Sequence, residues 1–296
     1  MVAAAGRDRR ASAAFSSSTA RHFRITGPSL RLDSRTEAFR DDLADITLSD
    51  QVLAPHYARA LLRGCGADST FVRERPDAGA AALSELLPGE DFAVLEYAGG
   101  WAWGHSRQGR LVGYVETIAL SDPTAATHIV CEEKAPVTAD ADVAAPVLAS
   151  LPMGARLHGA ECGPCLTTEY GCVSLSHLRR IDGPEADPVA VAERLFGAPW
   201  LEGGRTGDGI DAAGLVQLAL ALSGMDAPRL ADQLGALGVP AGGAPQRGDL
   251  VHFDGGVGLM IDDLMFIHAS REAGKVTLSP LAEVSARGLA LRRLAG

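Results

Sequence analysis

The sequence predicts an α+β protein: two small β-barrels in series, then a domain in which an apolar helix packs on an antiparallel sheet. Three observations predict it. Residues 69–181 break into short alternating stretches with polar or Gly/Pro-rich breaks, the pattern of small barrels. Between residues 189 and 225 the apolar spacing turns helical. From Gly248 onward strand-like spacing returns.

The chain has 296 residues, enough for two or three domains. Its 47% apolar content supports a packed core. The net charge of −10 argues against a nucleic-acid surface, which needs a basic face. No apolar run approaches the roughly 18 residues of a membrane span. Residues 1–31 differ from the rest. The first thirty hold five arginines and one acid among many Ser and Ala, without the apolar stretch of a secretory signal. We read them as a disordered basic tail in preference to a transit peptide. The expected compartment is the cytoplasm, with export left open, as is the tail's presence in the mature protein.

Residues 32–68 are expected to form an N-terminal arm, with Leu32–Asp50 as an arm or short helix on the surface. The first barrel is expected over 69–122 and the second over 126–181. Each carries a Leu-Pro turn followed by glycine, at Leu87-Pro88-Gly89 and at Leu151-Pro152-Met153-Gly154. "GYVETIAL" and "GCVSLSHL" close the two units, so the chain contains an internal repeat of roughly 50–60 residues. Trp101, Trp103 and Tyr114 are candidates for a peptide-binding surface. Alternation puts Trp101 and Trp103 on one face, and one edge of the cluster is expected to be exposed.

Ile181–Pro188 reads as a linker. Beyond it the pattern predicts a helix over Val189–Phe196 and a longer one over Asp211–Met225, capped by Asp211. The longer helix has almost no polar face, so it should be buried on most sides. Strands follow at Gly248–Asp254, Val257–Asp263, Leu264–Ser270, Lys275–Leu281 and Leu289–Ala295, with a hairpin at Asp262-Asp263.

An acidic cap in front of a buried helix suits a nucleophile. Unpaired amides and the helix dipole stabilise a thiolate in the first turn. A histidine on a facing strand then serves as base, and a third polar group orients it. This is the papain-like plan. The segments "APWLEGGRTGDGIDAAGLVQ" (198–217), "QRGDLVHFDGGVGLMI" (246–261) and "MFIHAS" (265–270) resemble, in order, three motifs of the NlpC-type cell-wall endopeptidases. The resemblance covers 187–296. The barrels in front resemble bacterial SH3-like domains, the second copy departing further, with Cys172 where the first has Tyr114.

That resemblance implies cleavage of cell-wall stem peptides by a cysteine nucleophile. Here the cysteine position is Ala212, the next serine position is Ala213, the base position is Gly256, and the tyrosine of the first motif is Trp200. Only the third polar residue remains, as His268. Alanine offers no lone pair and glycine accepts no proton, and the three groups act as a unit. His252 is the nearest candidate for a substitute base. On a continuous strand it would lie on the face of Gly256 but about 13 Å away.

The expected function is therefore a catalytically inactive member of that family that binds a peptide or cell-wall fragment, or scaffolds. The expected cleft is Trp200, Glu202, Asp211, Gly256 and His268, with Glu202 adding acidity. His268 is read as a buried histidine bonded to backbone. A hydrolase working by another route is the first alternative. A thiol or metal module on "CGPC" (Cys162–Cys165) is the second, with Cys172, and with Cys131 or His177 as further ligands. A hairpin tip is preferred for that stretch, because no βαβ context surrounds it. The five cysteines do not form a disulfide framework. "GGRTGDG" lacks the ending of a phosphate loop. No cofactor is expected, and the SH3-like units are the expected contact for a protein partner.

Overall fold

The computed structural model describes residues 32–66, 68–142 and 145–294, so the tail expected over 1–31 lies outside the described residues. The architecture is sheet-rich with few helices. A seven-stranded sheet runs Ala82–Leu86, Thr70–Arg73, Val112–Glu116, Trp101–Ser106, Asp91–Ala98, Leu61–Cys65, Leu120–Ser121. It takes in Leu61–Cys65, ahead of residue 69 where the first strand-rich unit was expected to begin. The second strand-rich stretch forms a five-stranded sheet and a three-stranded sheet between His128 and Arg180.

The C-terminal part holds four short helices among the described residues: α1 (Pro188–Glu193), α2 (Ala212–Leu222), α3 (Ala231–Leu234) and α4 (Leu281–Val284). Its six-stranded sheet is antiparallel throughout, in the order Val239–Pro240, Ala290–Arg293, Leu250–Phe253, Gly256–Met260, Met265–Ser270, Lys275–Pro280. The two acids at 262–263 make the expected turn. Asp262 Oδ1 accepts from the amides of Leu264 and Met265 at 2.8 and 2.7 Å. The helix α3, the helix α4 and the strand Val239–Pro240 were not expected; each is too short for its periodicity to register.

The core explains why α2 lacks a polar face. Leu215, Leu218 and Leu220 are all but fully buried, together with Leu250, Val257, Leu259 and Ile267 of the sheet. Leu87 and Met153, from the two Leu-Pro turns, lie in the same cluster at 0% exposure. Burying each such side chain stabilises the fold by about 1.5–3 kcal/mol. The two turns also meet each other. The Arg156 amide donates to the Pro88 carbonyl at 2.8 Å. A Cβ on Gly89, whose φ is +73°, would sit 2.1 Å from the Arg156 carbonyl oxygen. Only glycine satisfies both constraints.

Residues 32–58 differ from the surface arm or helix expected of them. Leu43–Asp45 and His56–Ala58 are short parallel strands, and Ala38, Ala44 and Leu48 are buried. Charged residues are interspersed through the segment, and Ala38, Leu43 and Ala58 among its apolar ones pack on Leu95 and Trp103. The Arg40 guanidinium lies 4.4 Å from the centroid of the Trp103 ring and pairs with Asp42 and Glu96. Trp103 is therefore covered at 4% exposure, whereas Trp101 is half-buried. Tyr114 is half-buried too, and its hydroxyl accepts from Arg40 at 3.5 Å. The aromatic face expected to meet a partner is largely occupied by the chain's own segment.

Candidate functional site

Asp211 stands where the loop ends and α2 begins. Its backbone is extended, and its Oδ1 accepts from the Gly214 amide at 2.7 Å. Its Oδ2 accepts from the Gly203 amide at 2.9 Å and from Arg229 at 2.6 Å. The Arg229 Nε donates in turn to Ser84 Oγ, 2.9 Å away in the seven-stranded sheet. Neither Arg229 nor Ser84 was singled out from the sequence. Their partners lie 18 and 145 residues apart along the chain, and no local pattern marks such a link.

An open cleft of about 490 Å³ lies over this N-terminus. Trp200, Glu202, Asp211, Ala212 and Gly256 line it together. Leu83, Arg229, His252, Phe253 and Arg271 line it as well. The lining contains no cysteine, serine, threonine, tyrosine or lysine. Glu202 is one of three carboxylates on the lining, with Asp211 and Asp254, and two of the three are paired with guanidinium groups. Arg271 pairs with Glu202 at 2.9 Å and lies 4.6 Å from the centroid of the Trp200 ring. Arg229 balances Asp211 in the same way.

The base position has a neighbour. Phe253 and Gly256 are direct partners across a two-residue turn at Asp254-Gly255. A Cβ at Gly256 would come within 2.7 Å of the far end of the Phe253 ring. His252 pairs with Val257, on the opposite side of the strands from the Phe253–Gly256 pair. The expected 13 Å separation along one strand is therefore wrong. His252 is on the adjacent strand and lines the cleft, but it faces away from where the base would project. The Asp-Gly pair was the legible hairpin signal.

His268 is not among the lining residues, contrary to expectation. It is 8% exposed, and its Nε2 bonds to Ser279 Oγ at 3.0 Å rather than to backbone. Its ring lies 4.6 Å from that of Phe266 and 6.0 Å from that of Phe253. Burial, with Arg287 nearby, pushes the imidazole down to about 4. The unfolded chain therefore takes up a proton near pH 6.5 that the folded chain refuses. The stability this group contributes is complete above pH 6.5 and falls as pH drops toward 4. Unfolding free energies from urea titrations at pH 7.5 and pH 5 should differ by on the order of 2 kcal/mol, and His268→Gln should remove that part of the difference. Equal pH dependence in both proteins would show that His268 is not the group responsible.

Cys162 and Cys165 pair across a Gly163-Pro164 hairpin, as the preferred reading required. Cys162 is exposed and Cys165 is buried, and all five cysteines are free thiols. Burial, then the neighbouring Cys172, pushes the Cys165 thiol above its ordinary range. Burial also raises that of Cys131. Among the described residues no three His, Cys, Asp or Glu side chains converge for a metal ion. The Cys162, Cys165, Cys172 centre is thus not formed, and the Cys131 thiol donates to the His177 carbonyl at 3.3 Å instead. The stretch read as lacking a phosphate loop is a short hairpin, Arg205–Thr206 with Gly209–Ile210.

The matches to known proteins fit this geometry. Residues 197–289 match the model of the NlpC/P60 family, and residues 72–120 match that of the bacterial dipeptidyl-peptidase SH3 domain. The chain carries an NlpC/P60 domain behind a bacterial SH3 domain. An NlpC/P60 family protein from Bacillus cereus ATCC 10987 superposes with a TM-score of 0.68 at 17% identity, over 80% of this chain and 100% of that one. An NlpC/P60 endopeptidase from Photobacterium damselae subsp. piscicida does so with 0.52 at 15%, over 78% and 70%. Both likenesses establish the fold. RipD from Mycobacterium tuberculosis, described as a non-catalytic NlpC/p60 domain protein, matches at 25% identity over 36% of this chain and 95% of that one, with a TM-score of 0.31. No curated protein matches the chain in sequence. No helix among the described residues is long and apolar enough to cross a membrane.

Proposed function

We propose that this protein is a non-catalytic member of the NlpC/P60 family that holds a peptide, such as a cell-wall stem peptide, in the cleft over α2. The carrying observation is the cleft's chemistry. Ala212 occupies the first turn, Gly256 stands at the base position under the Phe253 ring, and no hydroxyl, thiol or amine lines the cavity. Asp211 is already engaged by two amides and a guanidinium, so it serves as cap and anchor rather than as nucleophile. A volume near 490 Å³ is in the range of ligand pockets. The Trp200 face, the Glu202–Arg271 pair and the imidazole of His252 offer an apolar wall with polar groups around it. The fold we assign to the whole is two SH3-like barrels packed against a helix-on-sheet domain, with the Leu-Pro turns of the barrels closing the core.

Binding and turnover separate the readings. Calorimetric titration with a stem tetrapeptide is expected to give saturable binding, while an amine-reactive fluorophore detects no new amino groups. Trp200→Ala should weaken binding by at least about tenfold, as aromatic anchors do. Cleavage by the unmodified protein would eliminate this reading in favour of water activated by His252. Absence of binding would eliminate the cleft as the ligand site.

A further inference from the structure

We infer that the junction of the two strand-rich units with the NlpC/P60 domain is a second binding site, for a small zwitterion of amino-acid or dipeptide size. A cavity of about 410 Å³ opens there, lined by Asp91, Gln108, Arg156, Arg205 and Gln217 among others, and it shares no lining residue with the cleft over α2. Among the described residues, six buried side-chain nitrogen or oxygen atoms have no hydrogen-bond partner. Five of the six belong to these residues: Asp91 Oδ1, Gln108 Oε1, Gln217 Oε1, Arg156 Nε and Arg205 Nε. Folded proteins leave few such atoms, and scatter would not gather them in one place. Two of the residues are almost fully enclosed, Gln217 at 2% exposure and Arg205 at 3%.

The orphan atoms specify the ligand. Three are acceptors and two are donors. An ammonium group carries three N–H donors, and a carboxylate accepts from two guanidinium nitrogens. The orientation of the Gln217 amide is fixed by its Nε2, which donates to the Ala227 carbonyl at 3.1 Å, so its oxygen is the free end. Arg205 has its terminal nitrogens on Glu90, which leaves only Nε to offer. The charges agree. Arg107 and Arg156 line the cavity and form no ion pair among the described residues, and Asp91 and Asp226 add the opposite sign to the same lining. Burial raises the Asp91 carboxyl above its ordinary range, with Arg107 and Arg156 opposing. A lone anion or a lone cation would satisfy half of the site. The walls are set by packing, since a Cβ on Gly109 would lie 2.4 Å from Gln217 Nε2 and 2.9 Å from the Arg229 amide.

The test is calorimetric titration of the full chain with L-alanine and L-alanyl-L-alanine, using acetate and ethylammonium as half-ligands. At least one zwitterion should bind at a single site, at least tenfold more tightly than either half-ligand. Asp91→Asn and Arg156→Met should each weaken it tenfold or more, with melting curves confirming that both fold. Arg107→Ala, at an exposed position, should weaken it by threefold or more and serves if either of the others fails to fold. Trp200→Ala should leave it unchanged. The proposal is overturned if neither zwitterion binds, which would mean water fills the cavity. Equal binding of the half-ligands overturns it too, as does unaltered binding by the folded variants, or a loss on Trp200→Ala that would move the ligand to the cleft.

Discussion

Arg205→Met is expected to destabilise the protein by about 3–5 kcal/mol, the cost of leaving a buried charge without its partner. The side chains of Arg205 and Glu90 are each 4% exposed, and the guanidinium meets the Glu90 carboxylate with two bonds, at 2.7 and 3.0 Å. It also donates to the Glu85 carbonyl at 3.0 Å, while the Arg205 amide donates to Glu85 Oε2 at 2.9 Å. Glu90 Oε2 accepts from the Leu87 amide at 3.0 Å, which fixes the turn whose leucine enters the core around α2. Removing the guanidinium therefore strands a carboxylate at the seam between the SH3 unit and the NlpC/P60 domain. At about 2–4 °C per kcal/mol, the melting temperature should fall on the order of 10 °C. Glu90→Gln in the same chain should recover most of the loss, because the isolated charge is then gone. A single variant that melts within about 2 °C of wild type would show that the pair does not lock the seam.

Because the seam is a shared core, one cooperative transition is expected for the described fold rather than separate ones. This bears on what the sequence made legible. The cap and the all-round burial of α2 followed from residues within fifteen positions of one another, since capping and helical periodicity are local, although the helix ends at Leu222 rather than at the expected Met225. The three family segments were equally legible, because motif order is read along the chain, and residues 197–289 match the NlpC/P60 model. The partners that set the electrostatics were not. Arg205 reaches Glu90 over 115 residues and Arg229 reaches Ser84 over 145, and nothing beside any of the four announces the other. Glu202 looked like free acidity because its partner Arg271 stands 69 residues away. The segment 32–58 was misread for a different reason. Its buried residues are too few and too widely spaced to show a period, and their partner is the aromatic face of another unit.

Ala212→Cys is expected to create a reactive thiol that cleaves nothing. The free amides and dipole at the start of α2 should lower its pKa, so iodoacetamide should alkylate it faster than free cysteine at neutral pH. Asp211 will not cancel this, because its charge is already met by Arg229. Turnover is another matter. With glycine at 256 no base takes the proton, and single members of such a unit recover little of the roughly 10⁶-fold that the unit supplies. Adding Gly256→His brings the new side chain against the Phe253 ring, whose far end lies 2.7 Å from the new Cβ. That ring is 3% exposed and packs edge-on to Phe266 and His268 at 5.7 and 6.0 Å. Overpacking of this kind costs about 1–3 kcal/mol, so the double variant should melt lower and cleave stem tetrapeptides only weakly. Trimming the ring with Phe253→Leu should restore room for the imidazole beside His268 and raise the rate of amino-group release above that of the double variant. A double variant as stable as wild type and as active as the triple would show that Phe253 does not obstruct the base position. The proposed lack of turnover would then rest on Ala212 and Gly256 alone.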